Sequence, residues 1–398
     1  MKILWLSPGF LHPATRGGQI RTLEMLCRLH VRHEIHFVAL HDGSREPLDR
    51  SSEYCSKAWP VPYALAPRSS ARFWLQTAQF LFSELPVVVA RKRSQAAEQL
   101  VEKLLREQNF DLVVCDFLTP TVHLPPMQPF VLLEHNVETV LWRRYTEQAA
   151  NPAARLFFRL QAQRMLRFEC EACRRANKVI AVSEADAATL REMCGISHIF
   201  AIPTGVDAAW FARPHAPGPG PASDLIFVGS MDWLPNIDGV RWFVGEVLPR
   251  IRDRLPHCSL TVAGRRPPAS IRDLATTDAR IRVTGTVDDI RPYLWAASVS
   301  VVPLRIGGGT RLKIYEAMAA GIPVVATTIG AEGLDVSSPE NVCIADTADA
   351  LANACVELLN SPSERARQAA AAAALVRDRF SWENVAARFE EIVCSGRV

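Results

Sequence analysis

The 398-residue sequence has no uninterrupted apolar run long enough to cross a bilayer. Its longest apolar stretch, FWLQTAQFLFSELPVVVA from Phe73 to Ala90, is broken by Gln76, Gln79, Glu84 and Pro86, which excludes a spanning helix. No export signal is expected either. MKILWLSPGF has only a short apolar run before Pro8 and reads as a strand. No G-x-G-x-x-G follows that strand, where only PGFLHPATRGG stands, and this argues against a dinucleotide-dependent oxidoreductase. The ten cysteines lack paired spacing except at Cys170 and Cys173, in LRFECEACRRAN, a stretch that reads as helix rather than as a tight metal loop. Structural thiols, no zinc site and a reducing cytoplasmic setting are the expectation. A net charge of only +3, with 48% hydrophobic and 22% charged residues, excludes extensive disorder, and no nucleic-acid partner is expected. Residues 1–205 carry a mild excess of Lys and Arg, the remainder a slight excess of Asp and Glu.

What is present is a repeating alternation of short apolar runs and helix-length segments. Strands are predicted at KILWLS, HEIHFVAL, DLVVCD, FVLLEH, KVIAVS and HIFAIP. After the Pro/Gly-rich ARPHAPGPGPAS the pattern restarts with LIFVGS, SLTVAG, IRVTGT, VSVVPL, IPVVAT and NVCIA. Two parallel α/β units of Rossmann-like type follow from this, facing one another across a cleft lined by the carboxyl ends of their strands. The length suits two cores. Pro203 and Gly205 mark a turn, which divides the chain into 1–205 and 206–375. Past Ile344 the chain reads as helical to its end, and 376–398 is expected to return to the first domain.

The loop after VSVVPL is the richest in chemistry. Gly307, Gly308, Gly309 and Thr310 lead into the helix RLKIYEAMAAG, where glycine backbone and unpaired helix-start N–H groups suit a diphosphate. Leu312 follows at the start of the helix. Arg311 and Lys313 add positive charge where it opposes the helix dipole, a conflict that a bound anion relieves. Lys313 is also the only lysine after Lys178. Glu316 on the same helix can accept two hydrogen bonds from a vicinal diol such as a ribose. Asp288 and Asp289 precede a helix and are expected to complement its dipole rather than to hold a metal.

The sequence resembles the GT-B glycosyltransferases of the group 1 type, also called glycosyltransferase family 4. The resemblance rests on Gly17-Gly18, the EHN at Glu134 to Asn136, VSEADAATL, IPTGVD, FVGSMDWLPNIDG, VTGTVDDIRPYL, YEAMAAGIPVVAT and FSWENVAARFEEI. It implies retaining transfer of a sugar from a nucleotide-diphosphate sugar, used as co-substrate without cofactor or metal. The acceptor it implies is a glycan or lipid-linked molecule, in synthesis of exopolysaccharide or another cell-surface glycan.

By the resemblance, Glu316 matches the second glutamate of a pair eight positions apart and holds the donor ribose, while the first position is Gly308. His135 and the weaker candidate Glu134 contact the donor sugar or the reacting centre. Gly17, Gly18, Gly229, Ser230, Gly285, Thr286, Val287 and Gly330 belong to the donor pocket. Members of the family often carry an arginine and, six positions on, a lysine after the first strand of the second domain, whereas this chain has Ser230 and Asn236. Arg311 and Lys313 are expected to supply the lost charge. FWLQTAQFLF and ARLFFRLQAQRMLRF are segments expected to meet a lipid-linked acceptor at the inner face of a membrane. A nucleotide-sugar epimerase or hydrolase of similar fold and a non-catalytic nucleotide-sugar-binding protein remain alternatives.

Overall fold

A computed structural model describes residues 1–14, 16–63, 83–149, 151–214, 223–306 and 312–395. The chain forms two compact units, one from Met1–Pro203 with Val385–Val398, the other from Thr204–Gly307 with Arg311–Asn384. Phe73–Phe82 and the GPGP run lie outside the described residues.

Seven strands make the sheet of the first unit: β1 (Lys2–Ser7), β2 (Glu34–His41), β3 (Lys57–Pro62), β4 (Leu112–Asp116), β5 (Val131–Leu133), β6 (Lys178–Ala181) and β7 (Ile199–Ala201). They run in the order β3-β2-β1-β4-β5-β6-β7, every pairing parallel. The strand order reverses between β1 and β4, which makes their carboxyl ends a natural place for a ligand. Ile3, Leu4, Trp5 and Leu6 are all buried, as are Val113 to Cys115. Helices cover both faces of a parallel sheet, so its strands read as unbroken apolar runs.

β3 was not predicted. Its sequence KAWPVP contains Pro60 and Pro62, which cannot donate to a ladder, and the strand lies at the sheet edge where that loss is tolerated.

The second unit has β8 (Ser223–Val228), β9 (Leu260–Ala263), β10 (Ile281–Gly285), β11 (Ala297–Val302), β12 (Val324–Ala326) and β13 (Cys343–Ile344). Their order is β10-β9-β8-β11-β12-β13, again all parallel, with the reversal between β8 and β11. All six runs predicted after the restart became strands. Helices Ala348–Asn360 and Pro362–Arg379 complete this unit, the first capped by Thr347 and the second by Ser361.

One cysteine expectation fails. Cys170, on helix Pro152–Arg175, is bonded to Cys194 at the end of helix Glu184–Cys194 and is not a thiol. The two helices bring the Cα atoms within 4.8 Å although 24 residues separate them, a proximity no local spacing reveals. Cys173 is a buried free thiol.

From Val385 onward the last helix, Trp382–Cys394, belongs to the first unit. Phe389 is fully buried with its ring 5.8 Å from that of Trp5 on the central strand β1. Glu390 accepts from Arg32 at 2.6 Å and pairs with His33 at 2.7 Å, and Lys178 donates to the carbonyl of Ile392 at 2.5 Å. Apolar contact at the middle of the helix and polar contacts at its flanks hold it in register. Phe389→Ala should therefore cost about 3–5 kcal/mol and lower the thermal unfolding midpoint, read by circular dichroism. An unchanged midpoint would show that the helix contributes nothing to the first unit.

Candidate functional sites at the strand ends

In the second unit the chemistry collects at the ends of β8 and β9. Gly264, just past β9, packs so closely on the backbone that a Cβ there would stand 1.8 Å from the carbonyl oxygen of Gly229, just past β8. Only glycine fits. Gly229 is equally confined: a Cβ would lie 2.7 Å from Asn236 Nδ2 and 2.9 Å from Lys313 Nζ.

Helix Leu312–Ala319 carries Lys313 to this point, where its ammonium donates to Asn236 Oδ1 at 2.7 Å and lies 4.6 Å from the centre of the Phe227 ring. Asn236 Nδ2 in turn donates to the Ser230 carbonyl at 2.8 Å. Arg265 Nε donates to Ser230 Oγ at 2.6 Å, and its Nη2 donates to Asp232 Oδ2 at 3.1 Å. Two cations from separate elements thus converge on the first strand-to-helix loop of this unit.

Glu316 lies on the helix of Lys313, half-buried. Burial pushes its pKa up to about 7, against a smaller downward pull from Lys313. Leu312 is buried in the core and Tyr315 stacks on Phe380 with centroids 4.5 Å apart, which fixes the helix. Gly285, with φ +70°, and the exposed Thr286 and half-buried Val287 form the end of β10 and its loop. Gly330 N–H donates to Thr327 Oγ1 at 2.9 Å after β12. Asp289 accepts from the Arg291 N–H at 2.9 Å and from its guanidinium, a local cap and ion pair. Gly307, Gly308, Gly309, Thr310 and Arg311 lie outside the described residues.

In the first unit a buried carboxylate organises the switch point. Asp116, at the end of β4, accepts from Thr22 Oγ1 at 2.9 Å and Ser7 Oγ at 3.3 Å, and meets His135 Nε2 at 2.7 Å. Because the carboxylate only accepts, the His135 proton belongs on Nε2 and the lone pair on Nδ1. Burial, partly countered by Asp116, lowers the His135 pKa and keeps the ring neutral. Nδ1 has no hydrogen-bond partner among the described residues.

Phe117, at φ +71°, stacks on His135 with ring centroids 3.8 Å apart. A Cβ on Gly18 would come within 2.5 Å of the Phe117 ring and 3.4 Å of His135 Nδ1, so the start of helix Gly17–His30 closes over the imidazole. Arg21 of that helix is fully buried. It donates to the Ile202 carbonyl at 2.9 Å, and burial lowers its pKa to about 10 although Asp116 raises it.

Glu134 is also buried, and its pKa is raised by desolvation and by Glu169, Glu138 and Asp186. Its neighbour Glu169 accepts from the N–H groups of Glu138 and Thr139 at 2.7 and 3.0 Å and thereby caps a helix start.

Sequence reasoning missed Asp116, Thr22 and Arg21 in the first unit, and Arg265 with Asp232 in the second. Asp116 had a readable signal, since it closes the predicted strand DLVVCD. Arg265 had none, since the loop after β9 offered no motif.

Comparison with known proteins gives two family matches: "Glycosyltransferase Family 4" over residues 15–210 and "Glycosyl transferases group 1" over residues 222–361. A Corynebacterium glutamicum GDP-mannose-dependent monoacylated alpha-(1-6)-phosphatidylinositol monomannoside mannosyltransferase is 30% identical over 38% of this chain and 42% of its own length. Phosphatidyl-myo-inositol mannosyltransferase of Mycobacterium leprae is 30% identical over 54% of this chain and 60% of its own. The chain therefore matches roughly half the length of these relatives.

Among solved structures, sucrose-phosphate synthase of Thermosynechococcus elongatus superposes with TM-score 0.74 at 20% identity, covering 99% of this chain and 98% of that one. Anabaena HepE in complex with UDP and glucose gives TM-score 0.70 at 16% identity, over 99% and 100%. Identities this low establish the fold.

The raised pKa of Glu316 makes stability depend on pH with a definite sign. Between its ordinary 4.5 and about 7 the unfolded chain loses this proton while the folded chain keeps it, so the contribution falls as pH rises and is gone above about 7. Wild type minus Glu316→Gln should lose up to about 3 kcal/mol between pH 4.5 and 8. Urea unfolding of both proteins at the two pH values measures it. A pH-independent difference would show that Glu316 is not desolvated.

Proposed function

The chain belongs to the group 1, family 4 glycosyltransferases of GT-B fold, and from that premise we propose that it transfers a sugar from a nucleotide-diphosphate sugar to a hydroxyl of a glycan or lipid-linked acceptor. The observation that carries the reading is the convergence of Lys313 and Arg265 on the loop after β8, with Glu316 further along the helix that carries Lys313. Open parallel sheets bind ligands at the carboxyl ends of strands where their order reverses. Fixed cations there suit a diphosphate, and a carboxylate on the same helix suits a ribose diol.

Transfer needs stabilisation of the departing nucleoside diphosphate more than a strong nucleophile. The bond from the anomeric carbon to the phosphate oxygen breaks with its electron pair left on phosphate. The acceptor hydroxyl attacks on the same face, and its proton passes to that phosphate oxygen, which gives retention. Lysine and arginine supply the charge that a divalent cation would otherwise provide, so the reaction is metal-independent. In the first unit the His135 ring is held by Asp116 and Phe117, and its Nδ1, covered by Gly18, would accept from a sugar hydroxyl only if the start of helix Gly17–His30 gives way.

A GDP-mannose-dependent relative and a structural neighbour bound to UDP and glucose make GDP-mannose and UDP-glucose the first donors to try. A role in cell-surface glycan synthesis is supported by a 26% identical stretch of a Klebsiella pneumoniae protein "in cps region" and by the fold shared with WaaG of lipopolysaccharide biosynthesis.

A thermal-shift screen with UDP-, GDP- and ADP-sugars should find one nucleotide series that stabilises the protein. Product NMR with that donor and a panel of acceptors should show the donor's anomeric configuration, unaffected by EDTA. Lys313→Ala should cost ~10²–10³ in kcat. Hydrolysis of donor with every acceptor ignored would favour a hydrolase, and binding without turnover would favour a non-catalytic role.

No helix among the described residues is long and apolar enough to cross a membrane. Peripheral contact at the inner face has a candidate surface on the first unit. Leu156 (68% exposed) and Leu160 (37%) stand on helix Pro152–Arg175 beside Arg155 and Arg159, and Arg143 of the adjoining helix lines the same concavity of about 610 Å³. Exposed leucines among arginines suit an anionic lipid surface. Arg155→Glu with Arg159→Glu should abolish co-sedimentation with phosphatidylglycerol vesicles and leave the nucleotide response intact. Equal sedimentation of wild type with neutral and anionic vesicles would remove the membrane from the proposal.

A further inference from the structure

The serine and asparagine after β8 each receive a cation from elsewhere in the second unit. Arg265, 35 residues on, donates to Ser230 Oγ, and Lys313, 77 residues beyond Asn236, donates to Asn236 Oδ1. The geometry points to Arg265 as a further binding residue of the donor site, one that grips the diphosphate of the nucleotide sugar and, with Lys313, neutralises it as it leaves. This rests on the reading of the chain as a nucleotide-sugar transferase.

The placement of Arg265 follows from backbone packing. Gly264 lies against the Gly229 carbonyl, which brings the next residue's side chain over the β8 loop. Its guanidinium meets Ser230 through Nε and Asp232 through Nη2, both on one edge of the plane, and the side chain is 15% exposed. Such a planar, oriented fork is suited to paired phosphate oxygens.

An isolated Arg265–Asp232 salt bridge would account for one of these contacts only. It explains neither the grip on Ser230 nor the second cation on Asn236. A second guanidinium borders the same loop, since Arg266 lies 3.9 Å from Asp232. Asp232 holds the Arg265 guanidinium in place until phosphate competes for it.

Because Ser230 Oγ lies 2.6 Å from Arg265 Nε, an arginine at position 230 starts beside the place that the Arg265 guanidinium occupies. The two side chains are alternatives for one charge, and that makes the assignment testable by transplantation.

Calorimetry would compare wild type, Arg265→Gln, Asp232→Asn and the double variant Ser230→Arg/Arg265→Gln, each titrated with UDP and GDP and with UMP and GMP. Thermal unfolding of each variant would confirm that it is folded. Arg265→Gln should weaken the preferred diphosphate at least about tenfold while changing the monophosphate by less than about threefold. Turnover should fall by ~10². Asp232→Asn should bind the diphosphate as well as wild type or better, and the double variant should recover most of the affinity lost by Arg265→Gln.

Equal diphosphate affinity in wild type and Arg265→Gln would overturn the assignment. So would parallel losses in Arg265→Gln and Asp232→Asn with no rescue by Ser230→Arg, the pattern of a structural salt bridge. Wild type that binds no nucleoside diphosphate would instead overturn the transferase reading itself.

Discussion

The close approach of Gly264 to the Gly229 carbonyl is the constraint on which the second unit's site depends. With 1.8 Å available where any Cβ would lie, β8 and β9 end side by side with no side chain between them. The residues that follow, Ser230 and Arg265, are then brought into hydrogen-bond range rather than merely into the same region. Gly229 extends the constraint to the next element, since its bare Cα leaves the volume taken by Asn236 and the Lys313 ammonium. A methyl group at either glycine would move charge as well as backbone.

The first unit solves a related problem with a buried anion. Asp116 is removed from water at the strand-order reversal, and such a carboxylate persists only where donors replace its hydration. Ser7, Thr22 and His135 provide them, and the nearby Arg21 charge adds a Coulombic counterweight. These donors come from β1, from helix Gly17–His30 and from the segment after β5, so the anion ties together three elements that meet where a ligand is expected. The outcome for His135 is orientation. One nitrogen is committed to Asp116, the ring face is covered by Phe117, and the remaining nitrogen is a lone pair with a set direction.

The fold was legible because parallel strands covered on both faces leave unbroken apolar runs, as in KILWLS and SLTVAG, and because the series restarts after a Pro/Gly-rich stretch. β3 was not legible, because an edge strand tolerates the prolines that argue against a strand anywhere else. Lys313 and Glu316 stood out in the sequence as local oddities, cations early in a helix and a carboxylate just beyond, and the fold sets Lys313 against Asn236. Arg265 was hidden because its importance lies in a contact with Ser230 that the Gly264 packing creates. Pairing of Cys170 with Cys194 was hidden for the same reason, a contact between helices with no sequence periodicity of its own.

Charge and hydrogen-bond geometry are therefore encoded differently at this site. A diphosphate responds to positive potential from whichever loop delivers it, since Coulomb attraction depends on distance and dielectric and not on the path of the chain. The loop after β9 brings Arg265 to the β8 loop and the helix Leu312–Ala319 brings Lys313. On the proposed reading a ribose diol would need two acceptor oxygens at fixed spacing and direction, and Glu316 sits on a helix anchored by Tyr315 and Leu312. Substitution can thus move lysine and arginine among loops while the position of Glu316 stays tied to its helix. That asymmetry explains how a chain with serine and asparagine at two expected cation positions still presents two cations at the same place.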